Sequence, residues 1–313
     1  MKNLIFLLSL LSLLNANNFN TASKYYKTKQ YKKAFELYNK LARKNNTNAQ
    51  YNLGLMYYNG IGVTKNRVKA FIWLSTASNQ EHMQAQNKLA FMYEKGIIPD
   101  IKNINKALKL YKKSANQNYD IAQLNLAMYY AQFVNKDSAK KAFYWYTKSY
   151  DNGNIVASNN LATMYYFGNG TKKDYKKAVK LYTFAAKSND KLAQYNLSMM
   201  YYSGSGIKQN FSLAAKWLKK SALNGNKLAQ LKLGHFYRQG NNLVNQNYKK
   251  ALYWYFKAAK QKYPAAQYYV GFCYYNGYGI KKDIKKATYW MHLSSQNGYV
   301  FAKDFMKRNK LYY

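Results

Sequence analysis

Residues 49–74 read AQYNLGLMYYNGIGVTKNRVKAFIWL, and the parts of this stretch return at near-constant spacing to the end of the chain. Its first alanine recurs at Ala85, Ala122, Ala157, Ala193, Ala229, Ala266 and, in a truncated last copy, Ala302, in steps of 36, 37, 35, 36, 36, 37 and 36 residues. A period of that length marks a solenoid, in which each unit buries its apolar face only against its neighbours. The reading is therefore all-α, one extended array of helix-turn-helix units.

The columns of the repeat have separable physical roles. Four residues past the alanine stand Leu53, Leu89, Leu126, Leu161, Leu197, Leu233 and Val270, and eight past it always a tyrosine, from Tyr57 to Tyr274. Offsets zero, four and eight share one helical face. The residue after the leucine is always small, as in Gly54, Ala127, Gly234 and Gly271, which predicts close approach of the neighbouring helix. Glycine pairs such as Gly60 with Gly62 and Gly204 with Gly206 then supply positive φ after the helix. Each second helix is expected to start at Asn66, Asn103, Ser138, Asp174, Asn210, Asn247 or Asp283, whose side chains can accept from free backbone N–H groups. Four residues on comes a second alanine, and three beyond it Trp73, Leu110, Trp145, Leu181, Trp217, Trp254 or Trp290, a column assigned to the core. Cys273 occupies a column of Met and aromatic residues and reads as a small buried hydrophobe.

The combination A-x-x-x-L-[small]-x-x-Y, a GxG loop, an Asp or Asn cap and K-A-x-x-W resembles the Sel1-like repeat (SLR) family, relatives of tetratricopeptide repeats with slightly longer units. The resemblance covers seven copies over residues 48–300. It implies a right-handed superhelical α-solenoid whose first helices line a concave surface, in a family of mostly non-catalytic adaptors. It also brings an alternative, because cysteine-rich secreted members from Helicobacter-like bacteria bind penicillin-type compounds and carry a β-lactamase assignment. Those members pair one cysteine per helix, whereas this chain has Cys273 alone.

Around the repeats the expected layout is a signal peptide at 1–16, an atypical capping hairpin at 17–47 and a C-terminal capping helix at 301–313. Lys2, the apolar run from Leu4 to Leu14 and the small Ala16 have the order of an export signal, and the run is too short to span a bilayer. The protein is accordingly expected in the periplasm or outside the cell, and not as a transmembrane protein. Its 313 residues carry a formal charge of +39, which favours anionic partners, although a Lys-, Asn- and Tyr-rich composition also follows from AT-rich codons. Three histidines in separate repeats and eleven carboxylates leave no metal, cofactor or catalytic constellation. Serine followed by lysine three residues later occurs at Ser138, Ser188 and Ser205, but the companion elements of a serine β-lactamase are missing.

If the first helix buries offsets zero, four, five and eight, then offsets two, three, six and nine form the opposite side. These columns are not simply polar. Offset two carries Tyr51, Tyr195 and Tyr268; offset three carries Asn52, Asn125, Asn160 and Asn196; offset six carries Leu55, Phe91, Met128, Met199, His235 and Phe272; offset nine carries Tyr58, Tyr166, Tyr202 and Tyr275. Aromatic columns rimmed by polar groups mark a surface for a protein or peptide, and asparagine can both donate to and accept from an extended backbone. A second candidate is the ladder Lys69, Lys106, Lys141, Lys177, Lys250 and Lys286 before the second-helix alanine, which could meet an acidic protein or an anionic envelope component. An exported location disfavours nucleic acid.

Overall fold

The computed structural model describes residues 18–311, so the segment read as a signal peptide lies outside the described residues. Among these residues there are seventeen helices and no strand. They fall into two compact units divided after Asn154. The first holds α1 (18–27), α2 Tyr31–Arg43, α3 Thr47–Asn59, α4 Arg67–Asn79, α5 Met83–Lys95, α6 Ile104–Asn116, α7 Asp120–Tyr130 and α8 Lys136–Asp151. The second holds α9 Ile155–Phe167, α10 Tyr175–Lys187, α11 Lys191–Ser203, α12 Phe211–Leu223, α13 Lys227–Gln239, α14 Tyr248–Ala259, α15 Pro264–Asn276, α16 Ile284–Gln296 and α17 Val300–Arg308. Within each unit helices adjacent in the chain pack on each other, most closely the two of one repeat, which is the construction of an α-solenoid.

The helix starts follow local chemistry. Asn66, Asn103, Asp174, Asn210, Asn247 and Asp283 each accept the backbone N–H three residues on, at 2.9 Å in every case. Ser138 does not play this part. Asn135 is the cap of α8, and Ser138 donates its backbone N–H to the Asn135 side chain at 2.8 Å. The glycine-free loop before α8 is short enough that the helix begins three residues earlier than expected.

The alanines at offset zero are fully buried, as are Leu53, Leu126, Leu197 and Val270. The small column is required by contact: a Cβ on Gly54 would lie 2.8 Å from Leu74 Cγ, and one on Gly234 would run into the ring of Tyr255. The second-helix core differs from the sequence reading. Its deepest column lies one residue after the tryptophans, at Leu74, Tyr111, Tyr146, Tyr182, Leu218, Tyr255 and Met291, all buried. Trp254 is buried, but Trp73, Trp145, Trp217 and Trp290 are only half-buried. Trp73, Trp145 and Trp290 pack against the core from its margin, Trp290 edge-on to Phe256 at 5.7 Å.

A buried amide column adds specificity. Gln50, Gln86, Gln123, Gln194, Gln230 and Gln267 follow the offset-zero alanines and are at most 4% exposed. In Gln50, Gln86, Gln123, Gln194 and Gln230 the amide nitrogen donates to a carbonyl at the end of the preceding helix. All six amide oxygens accept from a Gln or Asn at the end of the following helix, at 2.8–2.9 Å. The five amides that make both bonds thus each tie three helices together. Ser158 stands in this column in α9 and donates instead to the Leu181 carbonyl at 3.0 Å.

Candidate functional site

None of the seventeen residues chosen from offsets two, three, six and nine is fully buried, and Met128, at 48%, is the most open of them. In the first unit Phe91, Asn125 and Met128 come together with Glu94 and Tyr111 around a cleft of about 180 Å³. The Tyr111 hydroxyl donates to Glu94 at 2.9 Å, and burial together with that carboxylate raises the phenol's pKa. Tyr51 stacks on the His82 ring at 4.7 Å, and Lys88 lies 3.6 Å over the ring of Tyr58, where burial lowers the amine's pKa. Asn52 stands beside the Tyr38 hydroxyl, and Leu55 is half-buried.

In the second unit Tyr166, Asn196 and Met199 line a cleft of about 270 Å³ with Thr163 and Tyr182, whose hydroxyls bond each other at 2.9 Å. Other members of the same columns are engaged within the fold. Tyr195 packs on the core beneath α12 and α13, and Tyr202 stacks on Phe236 at 5.6 Å. Tyr268, Phe272 and Tyr275 all meet Phe305 of α17, and the Tyr275 hydroxyl donates to Asn309 at 2.9 Å. The last copies of the columns are therefore covered by the chain's own final helix.

The asparagines spend part of their capacity on one another. Asn125 donates to Asn87 at 2.9 Å, Asn196 to Asn159 at 3.0 Å, and Asn159 to Asn160 at 3.3 Å. One-repeat spacing brings offset three of one copy onto offset two of the copy before, so two of these bonds run between repeats.

The lysine ladder has a local occupation. Lys69, Lys106, Lys141, Lys177, Lys250 and Lys286 place their ammonium groups 5.2–5.7 Å from the ring centres of Tyr57, Tyr93, Tyr130, Tyr165, Tyr237 and Tyr274, each within its own repeat. Lys141, Lys177 and Lys286 also pair with Asp137, Asp174 and Asp283. The stems cover the offset-eight tyrosines while the charges stay exposed. Among the described residues no group of three or more His, Cys, Asp or Glu could hold a metal ion, and no helix is long and apolar enough to cross a membrane.

With this geometry in hand, comparison with known proteins is direct. The family model described as Sel1 repeat matches residues 24–46, 47–82, 84–119, 120–154, 155–190, 191–226, 227–263 and 264–299. The chain belongs to the Sel1 repeat family. Sel1-repeat proteins generally mediate protein–protein interaction. In structure the chain is similar to c5321, a protective antigen of uropathogenic Escherichia coli with an SLR fold, at TM-score 0.73 and 30% identity, over 94% of this chain and 65% of that one. It is also similar to a Sel1 repeat protein from Oxalobacter formigenes, at TM-score 0.71 and 27% identity, over 95% and 90%. By sequence it is 44% identical over 78 residues to a putative sel1-like repeat-containing protein of Acanthamoeba polyphaga mimivirus, a match spanning 25% of this chain and 14% of that protein. An Arabidopsis thaliana ERAD-associated E3 ubiquitin-protein ligase component, HRD3B, is 31% identical over 97 residues, 31% of this chain and 15% of its own length.

The structure adds residues that pattern reading passed over. Tyr111 and Tyr182 line the two clefts, the first together with Glu94 of the offset-nine column, and the repeated Ala-Gln pair was a legible sign of the buried amides. His82 caps α5: its Nδ1 accepts the Ala85 N–H at 3.2 Å. His235 bonds the Tyr255 hydroxyl through Nδ1 at 3.0 Å and meets Tyr269 edge-on at 4.4 Å. Burial, then the charges of Arg238 and Lys232, hold His235 down at about 4; burial also lowers His82. A folded-state value below the unfolded value of about 6.5 means that the unfolded chain takes up the proton first. Stability is then fully present above pH 6.5 and drains away down to about pH 4. After discounting for partial exposure, His235 contributes on the order of 1–2 kcal/mol to that loss. The urea midpoint followed across this window should fall, and His235→Met should flatten the slope; an unchanged slope would contradict the assignment.

Proposed function

We propose that the protein is an exported, non-catalytic scaffold that captures a protein or extended peptide along the outward columns of its first helices. The observation carrying this reading is that these columns, although rich in Tyr, Phe and Met, stay partly open and border a cleft in each unit. Apolar area left in contact with water beside asparagine amides with unused donors is the usual make-up of an interaction surface. Export is supported by the basic, apolar, small order of residues 1–16.

The test is crosslinking and pull-down from the envelope fraction and the medium of cells expressing the protein, comparing wild type with Met128→Glu and Tyr166→Glu. Glutamate is a good helix former, so both variants should keep their helicity and melting behaviour. Capture of the wild-type partner should drop about tenfold or more in at least one of them. Undiminished capture by both would remove the groove from consideration.

A further inference from the structure

Between α12, α13, α14 and the loop joining the last two lies a cleft of about 240 Å³, none of whose lining residues belongs to the outward columns of the first helices. It exists because of one small residue. Ala215 follows the second-helix alanine of α12, where the other second helices from α2 to α14 carry Phe35, Phe71, Leu108, Phe143, Val179 and Leu252. Phe35 meets Tyr57 of the next helix edge-on at 5.4 Å, and Phe71 meets Tyr93 at 5.5 Å. In the first of these junctions Phe35, Tyr57 and Trp73 pack on one core cluster. At the cleft the counterparts Tyr237 and Trp254 are kept and the ring of the third partner is missing. Ala215, Leu243 and Val244 stay partly exposed, so the space opens to solvent. Its loop wall is fixed: Asn241 Oδ1 accepts the Leu243 and Val244 N–H groups at 2.9 and 3.2 Å, and the Asn241 N–H donates to the Val244 carbonyl at 2.9 Å.

Lys216 and Lys219 supply the polar edge. They stand one turn apart on α12, both line the cleft and both are exposed. None of the ion pairs among the described residues engages either one. Residues 191–282 around them hold fifteen lysines and arginines and no aspartate or glutamate, so the local field favours an anion. An apolar space of this kind takes an apolar guest in preference to water. Besides the two amines, the lining side chains offer only the Tyr237 hydroxyl and the Trp254 indole N–H as hydrogen-bonding groups. The amides of a peptide would enter with too few partners, whereas a free acid has none to satisfy. We infer that this cleft binds a small hydrophobic monocarboxylic acid, whose ring or branched chain takes the place of the absent phenylalanine and whose carboxylate meets the Lys216 and Lys219 ammonium groups. The site is separate from the groove of the scaffold reading and does not depend on it.

The probe is 3-phenylpropionate, titrated into the full chain by calorimetry beside 3-phenylpropan-1-ol, which lacks the charge, and acetate, which lacks the ring. The acid should bind at a single saturable site with Kd about 0.1–1 mM, the scale expected of a ligand this small, and about fivefold or more tightly than the alcohol. Acetate should not saturate. Ala215→Phe should abolish binding while melting at or above the wild-type temperature, because the new ring fills the space as Phe35 and Phe71 fill theirs. Lys216→Gln combined with Lys219→Gln should make acid and alcohol bind alike. Both lysines are exposed on a helix, so this variant keeps the fold and tests the site even if Ala215→Phe packs poorly. No saturable binding of millimolar 3-phenylpropionate, undiminished binding by a folded Ala215→Phe, or an alcohol held as tightly as the acid by the wild type overturns the assignment. Tighter binding of acetyl-Gly-Phe with a free C-terminus than of 3-phenylpropionate overturns it in favour of a peptide chain end.

Discussion

Gly206→Ala should lower the unfolding free energy by roughly 3–5 kcal/mol, far more than an alanine substitution usually costs on a surface loop. Gly206 has φ +70°, and a Cβ there would lie 2.5 Å from the Tyr175 carbonyl carbon and 2.6 Å from its oxygen. Tyr175 opens α10 directly after the Asp174 cap, so this is backbone held by a helix and cannot swing aside as a side-chain tip would. Gly225→Ala is the matched control. It has φ +79° but nothing within 4 Å of the added atom. The left-handed conformation alone should cost it about 1 kcal/mol. Urea unfolding of the two variants separates dihedral strain from collision. Equal losses would show that the GxG glycines serve the turn only, and that the contact onto the preceding repeat is unimportant. Gly62 against Tyr31 and Gly279 against Tyr248 have the same geometry, so the result extends to those two repeat junctions.

Gln194→Leu is expected to cost about 2–4 kcal/mol despite preserving the side chain's approximate size and adding apolar surface. The Gln194 nitrogen donates to the Ala186 carbonyl and to Asn189 Oδ1, both at 3.2 Å, and its oxygen accepts from Asn224 at 2.9 Å. Leucine would take the side-chain donor from the Ala186 carbonyl, which keeps its backbone bond from the Asn189 N–H at 3.2 Å, and would leave the Asn224 amide without the Gln194 oxygen in the junction of α10, α11 and α12. Asn224→Ala removes one exposed arm of the network and should cost about 1 kcal/mol. In the double variant the Asn224 contribution should largely disappear, a coupling of about 1 kcal/mol measured by the cycle. A neutral Gln194→Leu would mean that the amide column merely fills space.

Much of the architecture was legible because a solenoid writes each contact many times. Leu53, Gly54 and Tyr57 can be assigned roles from one helix's periodicity, and Asn66 from the chemistry of an orphan N–H three residues ahead. The Asn135 cap was missed because its repeat lacks the glycine loop that sets the register elsewhere. Four of the five tryptophans proved half-buried, since periodicity gives the face of a helix but not which of two adjacent residues on it lies deeper.

The proposed surface was legible only as a set of columns. Sequence alone determined the repeat, its length, every second-helix start but that of α8, and which positions face away from the first-helix core, because these follow from local geometry repeated from copy to copy. Only the tertiary structure decided which outward residues remain available. Phe305 covers Tyr268, Phe272 and Tyr275, paired asparagines satisfy one another, and the lysine ladder lies over tyrosines of its own repeats. The physical reason is the same in each case: availability depends on what neighbouring helices bring within a few ångströms, and a single helix's periodicity carries no information about its neighbours' side chains.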